Sequence, residues 1–385
     1  NLGNVKSIEY MYDEMTSRNV AIVGGEGEGA SRYFVVSGDK NYTFTRNSIA
    51  YTTDGKRVEI NEPRFEIGKF GKAFLIEEGT TNLAHDPATD INWWNAAPKT
   101  GISWGYANEY SATEKALKIT SFSSSHNGHS FYLNIQRDTY FTIRANIKNV
   151  KNPLSSFCLA LYNSADTCIK TNYVPDILAQ YNWNYHNTPD YSEGWITYKI
   201  PSGVYTDAVK YTIQFRGSGT STSEIYLKDI QLEQKSYKTT WHAYNSIRAD
   251  EILDVPTPQL NNWTMEAWAK TNQESGSYRM PFSAWNKFYV SLSPNNKVLI
   301  SWRDGTQKYA YSTNPISNPT DWHYWALTFD GNRARLYIDG LSVVEAETNL
   351  PQPFPSNIRL GSLNTNKHFW NGLIENFRIT NRVRT

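Results

Sequence analysis

The 385-residue sequence holds two cysteines, Cys158 and Cys168. Two thiols make neither a disulfide framework nor a metal set, so a packed core must hold the fold. We read both as free, partly buried thiols. Excess charge is also missing: 38 Lys and Arg against 37 Asp and Glu leave +1, too little to draw the chain onto nucleic acid or an anionic membrane. No apolar run approaches the roughly 18–20 residues of a membrane span. The seven histidines are scattered. Only His126 and His129 lie close, in a Ser/Asn/Gly stretch with no third ligand nearby, which argues against zinc. No Gly-x-Ser-x-Gly elbow occurs, and neither cysteine stands in a protease or redox context. The first residue is Asn1, with no initiator Met or signal-peptide pattern, and reads as the start of a fragment.

Aromatics, by contrast, form 14% of the chain, and all 13 Trp fall after residue 90, which sets an N-terminal segment apart from two Trp-rich modules. Ala334, Leu336 and Ile338 alternate with Arg335, Tyr337 and Asp339, the period of a strand with one buried face. Asp330-Gly331 and Asp339-Gly340 end such alternations, where tight turns need positive φ. Similar runs recur at Ala116–Thr120, Tyr140–Ile147, Phe157–Tyr162, Trp195–Ile200, Tyr211–Arg216 and Ile225–Leu232, and no long amphipathic helix is visible. The expected fold is all-β: two antiparallel jelly-roll sandwiches preceded by a small β-rich connector. The pieces are residues 1–40, a connector at 41–87, a first sandwich at 88–245 and a second at 246–385. The Gly-rich stretch Gly24–Ala30 is no phosphate loop. Glu26 and Glu28 would repel phosphate, and the stretch leads into a strand where a helix is required.

Sugar rings offer an apolar face with polar edges, so a receptor needs flat aromatics among hydrogen-bonding groups. Tyr181, Trp183 and Tyr185 recur at every second position with Asn182, Asn184 and His186 between, so an extended loop would aim three rings to one side. Trp93 and Trp94, with Trp104, form a second candidate. In the last module, Trp302, Asp304, Lys308-Tyr309-Ala310-Tyr311 and Trp370 form a third. The first two sets also read as rings capping the end of a sandwich. Glu62, Glu66, Glu77 and Glu78 invite comparison with catalytic carboxylates. Adjacent Glu77 and Glu78 would face opposite sides of a strand, however, and Arg46 and Arg64 are suitable partners, so structural ion pairs are expected and no enzyme.

Trp263-Thr264-Met265-Glu266-Ala267-Trp268, Asp321–Gly331, Arg335–Gly340, Ile358–Ser362 and Phe369–Ile379 together resemble a laminin-G/concanavalin-A-like jelly roll. That resemblance implies surface recognition of glycans or proteins, and calcium at the rim in many members. Here Asp304 and Asp321 stand apart and Glu375-Asn376 replaces the frequent Asp, so no cofactor is expected; calcium is the one metal the resemblance leaves open. Asn19–Val23 with Gly25–Gly29 and Arg32 resembles the end of a siphophage tail-tip protein family. Phe44–Tyr51, Asn61-Glu62-Pro63-Arg64-Phe65-Glu66 and Leu75–Leu83 resemble a connector of phage tail and tail-fibre proteins. Ile225–Trp241 resembles the closing strand of carbohydrate-binding-module-like jelly rolls. These resemblances imply a receptor-binding protein of the virion, active in host adsorption. Its partners would be bacterial cell-surface polysaccharide or wall teichoic acid, other tail proteins, and two further copies in a homotrimer. A purely structural tail component and a wall-polysaccharide-degrading enzyme are the competing readings.

Overall fold

The computed structural model describes residues 42–86, 132–151, 154–173, 192–217, 223–284, 286–348, 354–363 and 367–384. It also describes the backbone of strands Tyr10–Met11, Val20–Ala21, Arg32–Val35, Ile102–Ala107 and Ala116–Ser121. Among these residues every regular element is a strand, and every pairing is antiparallel. The all-β jelly-roll class expected from the alternation is the class observed.

The first sandwich packs a five-stranded sheet on a four-stranded one. The five-stranded sheet runs Ile102–Ala107, Ala116–Ser121, Ser223–Glu233, Tyr140–Lys151, Ser192–Lys199. The facing sheet runs Leu133–Asn134, Lys210–Gly217, Leu154–Tyr162, Cys168–Tyr173. Phe141, Ile143, Leu159, Leu161, Ile196, Ile213 and Leu232 fill the space between. Two phenols are buried there as well, and they satisfy each other: Tyr198 and Tyr211 share a 2.9 Å hydrogen bond. Cys168 is free and exposed.

The second sandwich has sheets of seven and eight strands. Its core centres on fully buried Trp263, which stacks on Phe288 at 5.3 Å, and on the perpendicular pair Trp325 and Trp370 at 5.6 Å. The hairpin from Arg333–Ile338 to Leu341–Glu347 turns on Asp339 and Gly340, both at positive φ (50° and 83°), as a two-residue type I′ turn requires.

The connector is not the separate piece that its position in the sequence suggested. Its strand Thr43–Thr45 forms the edge of the seven-stranded sheet beside Ile252–Pro256. Lys72–Ile76 and Arg64–Ile67 extend the eight-stranded sheet beyond Gly372–Thr380, and Arg32–Val35 pairs on that same strand. The physical reason lies in burial and edges. Phe44, Phe74 and Ile76 belong to the second sandwich's core, and without the connector two inner strands would be left with open edges. Ile76 packs so closely on Gly361 (φ 77°) that a Cβ there would lie 2.5 Å from the isoleucine methyl. Thr80–Thr81 then pairs with Ile247–Arg248, where the two sandwiches meet.

Candidate functional site

Of the carboxylates singled out in the connector, Glu66, Glu77 and Glu78 are engaged. Arg46, Arg64 and Arg248 are fully buried with Glu77 and Glu251. Arg64 donates to both carboxylates and Arg46 donates to Glu251 at 2.9 Å. Burial would raise the Glu77 carboxyl, but the charges of Arg248 and Arg64 and hydrogen bonds from Arg64 and the Thr240 amide bring it down to about 2. A carboxylate held ionised among guanidiniums is a poor proton shuttle, so this cluster joins elements. Glu66 accepts from the Thr53 amide at 2.7 Å. Glu375 accepts from the Lys69 and Phe70 amides at 2.6 and 2.9 Å, capping the connector turn.

The outer face of the seven-stranded sheet has a different character. On strand Lys297–Asp304, Val298, Ile300 and Trp302 point into the core, and Ala310 of Thr306–Pro315 packs against it. The pleat therefore turns Leu299 and Ser301 outward, with Tyr309 and Tyr311 beside them. Register carries this face across the sheet: Asp254, Arg359, Ser283, Tyr289, Ser301 and Tyr309 lie opposite one another in a single row. At one end of the row Arg359 forks onto Asp254, Nε to Oδ1 at 2.8 Å and Nη2 to Oδ2 at 2.7 Å. At the other end Tyr309 and Tyr311 stand 51% and 47% exposed with rings stacked at 6.4 Å.

The phenols of this face influence one another. Interaction with Tyr278, with partial burial and neighbouring phenols, pushes the Tyr311 phenol up to about 12. Burial raises Tyr289. A cavity of about 580 Å³ lies beside these rings, lined by Tyr278, Tyr311, Ser293, Pro294, Asn295 and Lys297. Ser283 and Ser301 are fully buried and Arg359 is held by Asp254, so what this face offers a polyhydroxylated ligand is the aromatic faces and phenolic hydroxyls of its tyrosines.

The residues predicted from sequence fare unevenly. Tyr181, Asn182, Trp183, Asn184, Tyr185, Trp93 and Trp94 lie outside the described residues, as do His126 and His129. Trp104 lies in strand Ile102–Ala107 opposite Ile119, its side chain outside the description. Trp302 and Trp370 are corrections: they are 7% and 1% exposed and belong to the core. Trp302 shares the inward parity of Val298 and Ile300, and the Trp370 indole donates inward to the Lys270 carbonyl at 3.0 Å. Asp304 is accessible but pairs with Lys308 at 3.0 Å. Among the described residues no group of three or more His, Cys, Asp or Glu could hold a metal ion. Tyr278 and Tyr289 were missed. The signal available was Ala310 between two tyrosines on a strand with one buried face.

Residues 243–385 match the laminin-G-type family described as "Concanavalin A-like lectin/glucanases superfamily". That match and the sandwich topology make the C-terminal part of the chain a concanavalin-A-like domain. No curated protein sequence matches the chain. Among solved structures, the chain is similar to domain 4 of AbnA, a GH43 extracellular arabinanase from Geobacillus stearothermophilus, in complex with arabinotriose. That match has 21% identity over 35% of this chain and 69% of the other, at a TM-score of 0.31. It is similar to the CBM40 of the Ruminococcus gnavus IT-sialidase at 15% identity, over 33% and 79% of the two chains, with a TM-score of 0.29. Domains LG4-5 of the mouse laminin α1 chain align at 11% identity over 74% and 92%, with a TM-score of 0.26.

Proposed function

We propose that this chain is a receptor-binding component of a phage tail, and that it adsorbs to a bacterial cell-surface glycan held on the tyrosine face of its second sandwich. The observation that carries the binding reading is the face itself. Tyr309 and Tyr311 are half exposed on a sheet whose other alternate positions are core, and their rings stack on each other at 6.4 Å. Surface rings packed in this way lose little freedom when a sugar docks. Membership of the matched region in a lectin/glucanase superfamily supports the same chemistry.

The tail assignment rests on the connector's resemblance. Arg46, Arg64 and Glu77, which carry that resemblance, are among the residues that tie the connector to the second sandwich. A wall-polysaccharide-degrading enzyme is the competing reading, and it would need two carboxylates flanking the scissile bond.

The test is retention on immobilised bacterial wall and capsular polysaccharides, comparing the native chain with Tyr309→Ala/Tyr311→Ala. Binding of the native chain and its loss in a variant of unchanged melting temperature are expected. Retention on no bacterial glycan would leave a structural role, and release of reducing ends would establish an enzyme.

A further inference from the structure

A second cavity, of about 450 Å³, opens where the connector and the two sandwiches meet. Its walls come from all three: Glu78 from the connector, Tyr140, Lys235 and Tyr237 from the first sandwich, and Gln273, Lys367 and His368 from the second. None of the three pieces forms it alone. The polar groups are set in advance. Glu78 accepts from the Tyr237 hydroxyl at 2.8 Å and from Lys235 at 2.6 Å, and its amide donates to Asn371 Oδ1 at 2.9 Å. Asn371 in turn donates to Gln273 Oε1 at 3.2 Å. Tyr140 remains accessible, 38% exposed, with the Lys199 ammonium 4.9 Å from its ring centroid.

This groove is contiguous with the tyrosine face. Gly276 and Ser277 line the groove while the next residue, Tyr278, lines the cavity beside Tyr311. His368, on the groove wall, meets Tyr278 edge-on at 5.6 Å. The two cavities therefore flank one segment, and a chain lying on the tyrosines and passing the Tyr278–His368 contact reaches Tyr140 and the fixed polar groups. We propose that the groove is a second subsite of the same site, so that the protein takes an extended polysaccharide chain rather than a terminal sugar. The proposal rests on the tyrosine face being a glycan site. It adds the class of ligand: an internal stretch of polymer held at two places on two sandwiches.

Linking two weak contacts through one ligand raises affinity by effective concentration, and only for a ligand long enough to span both. The experiment is titration calorimetry with size-fractionated fragments of a retained bacterial wall polysaccharide, against the native chain, Tyr140→Ala/Lys367→Ala and Tyr309→Ala/Tyr311→Ala. The groove variant is expected to lose about tenfold in affinity for long fragments and nothing measurable for short ones, while the tyrosine variant loses both. Unchanged long-fragment affinity in the groove variant, with both lost in the tyrosine variant, overturns the second subsite and leaves the glycan reading standing. Binding that survives in the tyrosine variant overturns both. Lys367→Ala alone, at an exposed position, gives the same readings should the double groove variant not fold.

Discussion

Arg64 holds Glu251 with two nitrogens of one guanidinium, its Nε donating to Oε1 at 2.8 Å while Nη2 bonds to Oε2, although 187 residues separate the pair. Both side chains are fully buried. The same Nη2 reaches Glu77 at 2.7 Å, and the Glu77 amide donates to Glu251 Oε2 at 2.9 Å, so one carboxylate draws together the connector's strands and the start of the second sandwich. Replacing a whole buried ion cluster with apolar residues is often harmless, but removing one member strands the rest. Glu251→Ala would leave Arg46 and Arg64 buried without their shared partner. We expect it to cost about 3–5 kcal/mol in denaturant unfolding. A loss below about 1 kcal/mol, the size of a surface pair, would mean the cluster is solvated in solution.

Acid sensitivity should have a defined origin. His242 is buried, and desolvation together with the nearby Arg248 charge brings its imidazole down to about 3 from 6.5. Because the folded value lies below the unfolded one, its contribution is complete above pH 6.5 and is lost as pH falls from there toward 3. Glu77, lowered to about 2, adds a loss of the same sign only below 4.5, whereas Glu233, raised by burial, acts in the opposite sense from 4.5 upward. Between pH 6.5 and 5, the His242 contribution to unfolding free energy should fall with a slope approaching about 1.4 kcal/mol per pH unit. His368, also lowered by burial, contributes with the same sign, so the readout is the difference from His242→Gln, whose slope should be shallower. Parallel slopes would show that His242 charges freely in the fold.

The tryptophans and tyrosines of the second sandwich should separate cleanly. Trp370→Ala removes a fully buried indole packed on Trp325, and an expected loss of about 3–5 kcal/mol would show in the melting temperature. Tyr309→Ala/Tyr311→Ala should move stability by less than about 1 kcal/mol and act on glycan retention instead. A large thermal shift from the tyrosine pair would make them part of the fold's support.

For the segment Tyr181–His186, which lies outside the described residues, Trp183→Ala/Tyr185→Ala should leave the melting temperature nearly unchanged and weaken binding to host cells. A fall of many degrees with binding intact would show that they are core.

What was legible in the sequence was local. Alternation in Ala334–Ile338 and the Asp339-Gly340 turn specify strands and a hairpin whatever else the chain does, because both depend on near neighbours. Which face of an alternating strand is buried depends on its partners across the sheet. Lys308-Tyr309-Ala310-Tyr311 could have turned either parity outward; pairing of Ala310 with Ile300 decides it. Trp302 and Trp370 were read as surface rings for want of the same information. The role of Glu251 was hidden for a related reason: its partners Arg46 and Arg64 are some two hundred residues away, and no periodicity spans that distance.

The boundary at residue 246 can be tested on these grounds. A chain of residues 246–385 alone would lack Phe44, Phe74 and Ile76 from its core. It would also leave strand Ile252–Pro256 without Thr43–Thr45, and Gly372–Thr380 without both Lys72–Ile76 and Arg32–Val35. Glu251 would face inward without Arg46 and Arg64, and Glu375 would lose the Lys69 and Phe70 amides. Open edges beside an exposed apolar seam favour association between copies. The expected outcome is a fragment that aggregates or melts far below the full chain, and that residues 42–86 added as a separate peptide bring back into solution as a folded complex. Nuclear magnetic resonance of the fragment, with and without the peptide, decides the matter. A well-dispersed spectrum from 246–385 alone, unchanged by the peptide, would mean that the connector merely decorates a sandwich complete without it.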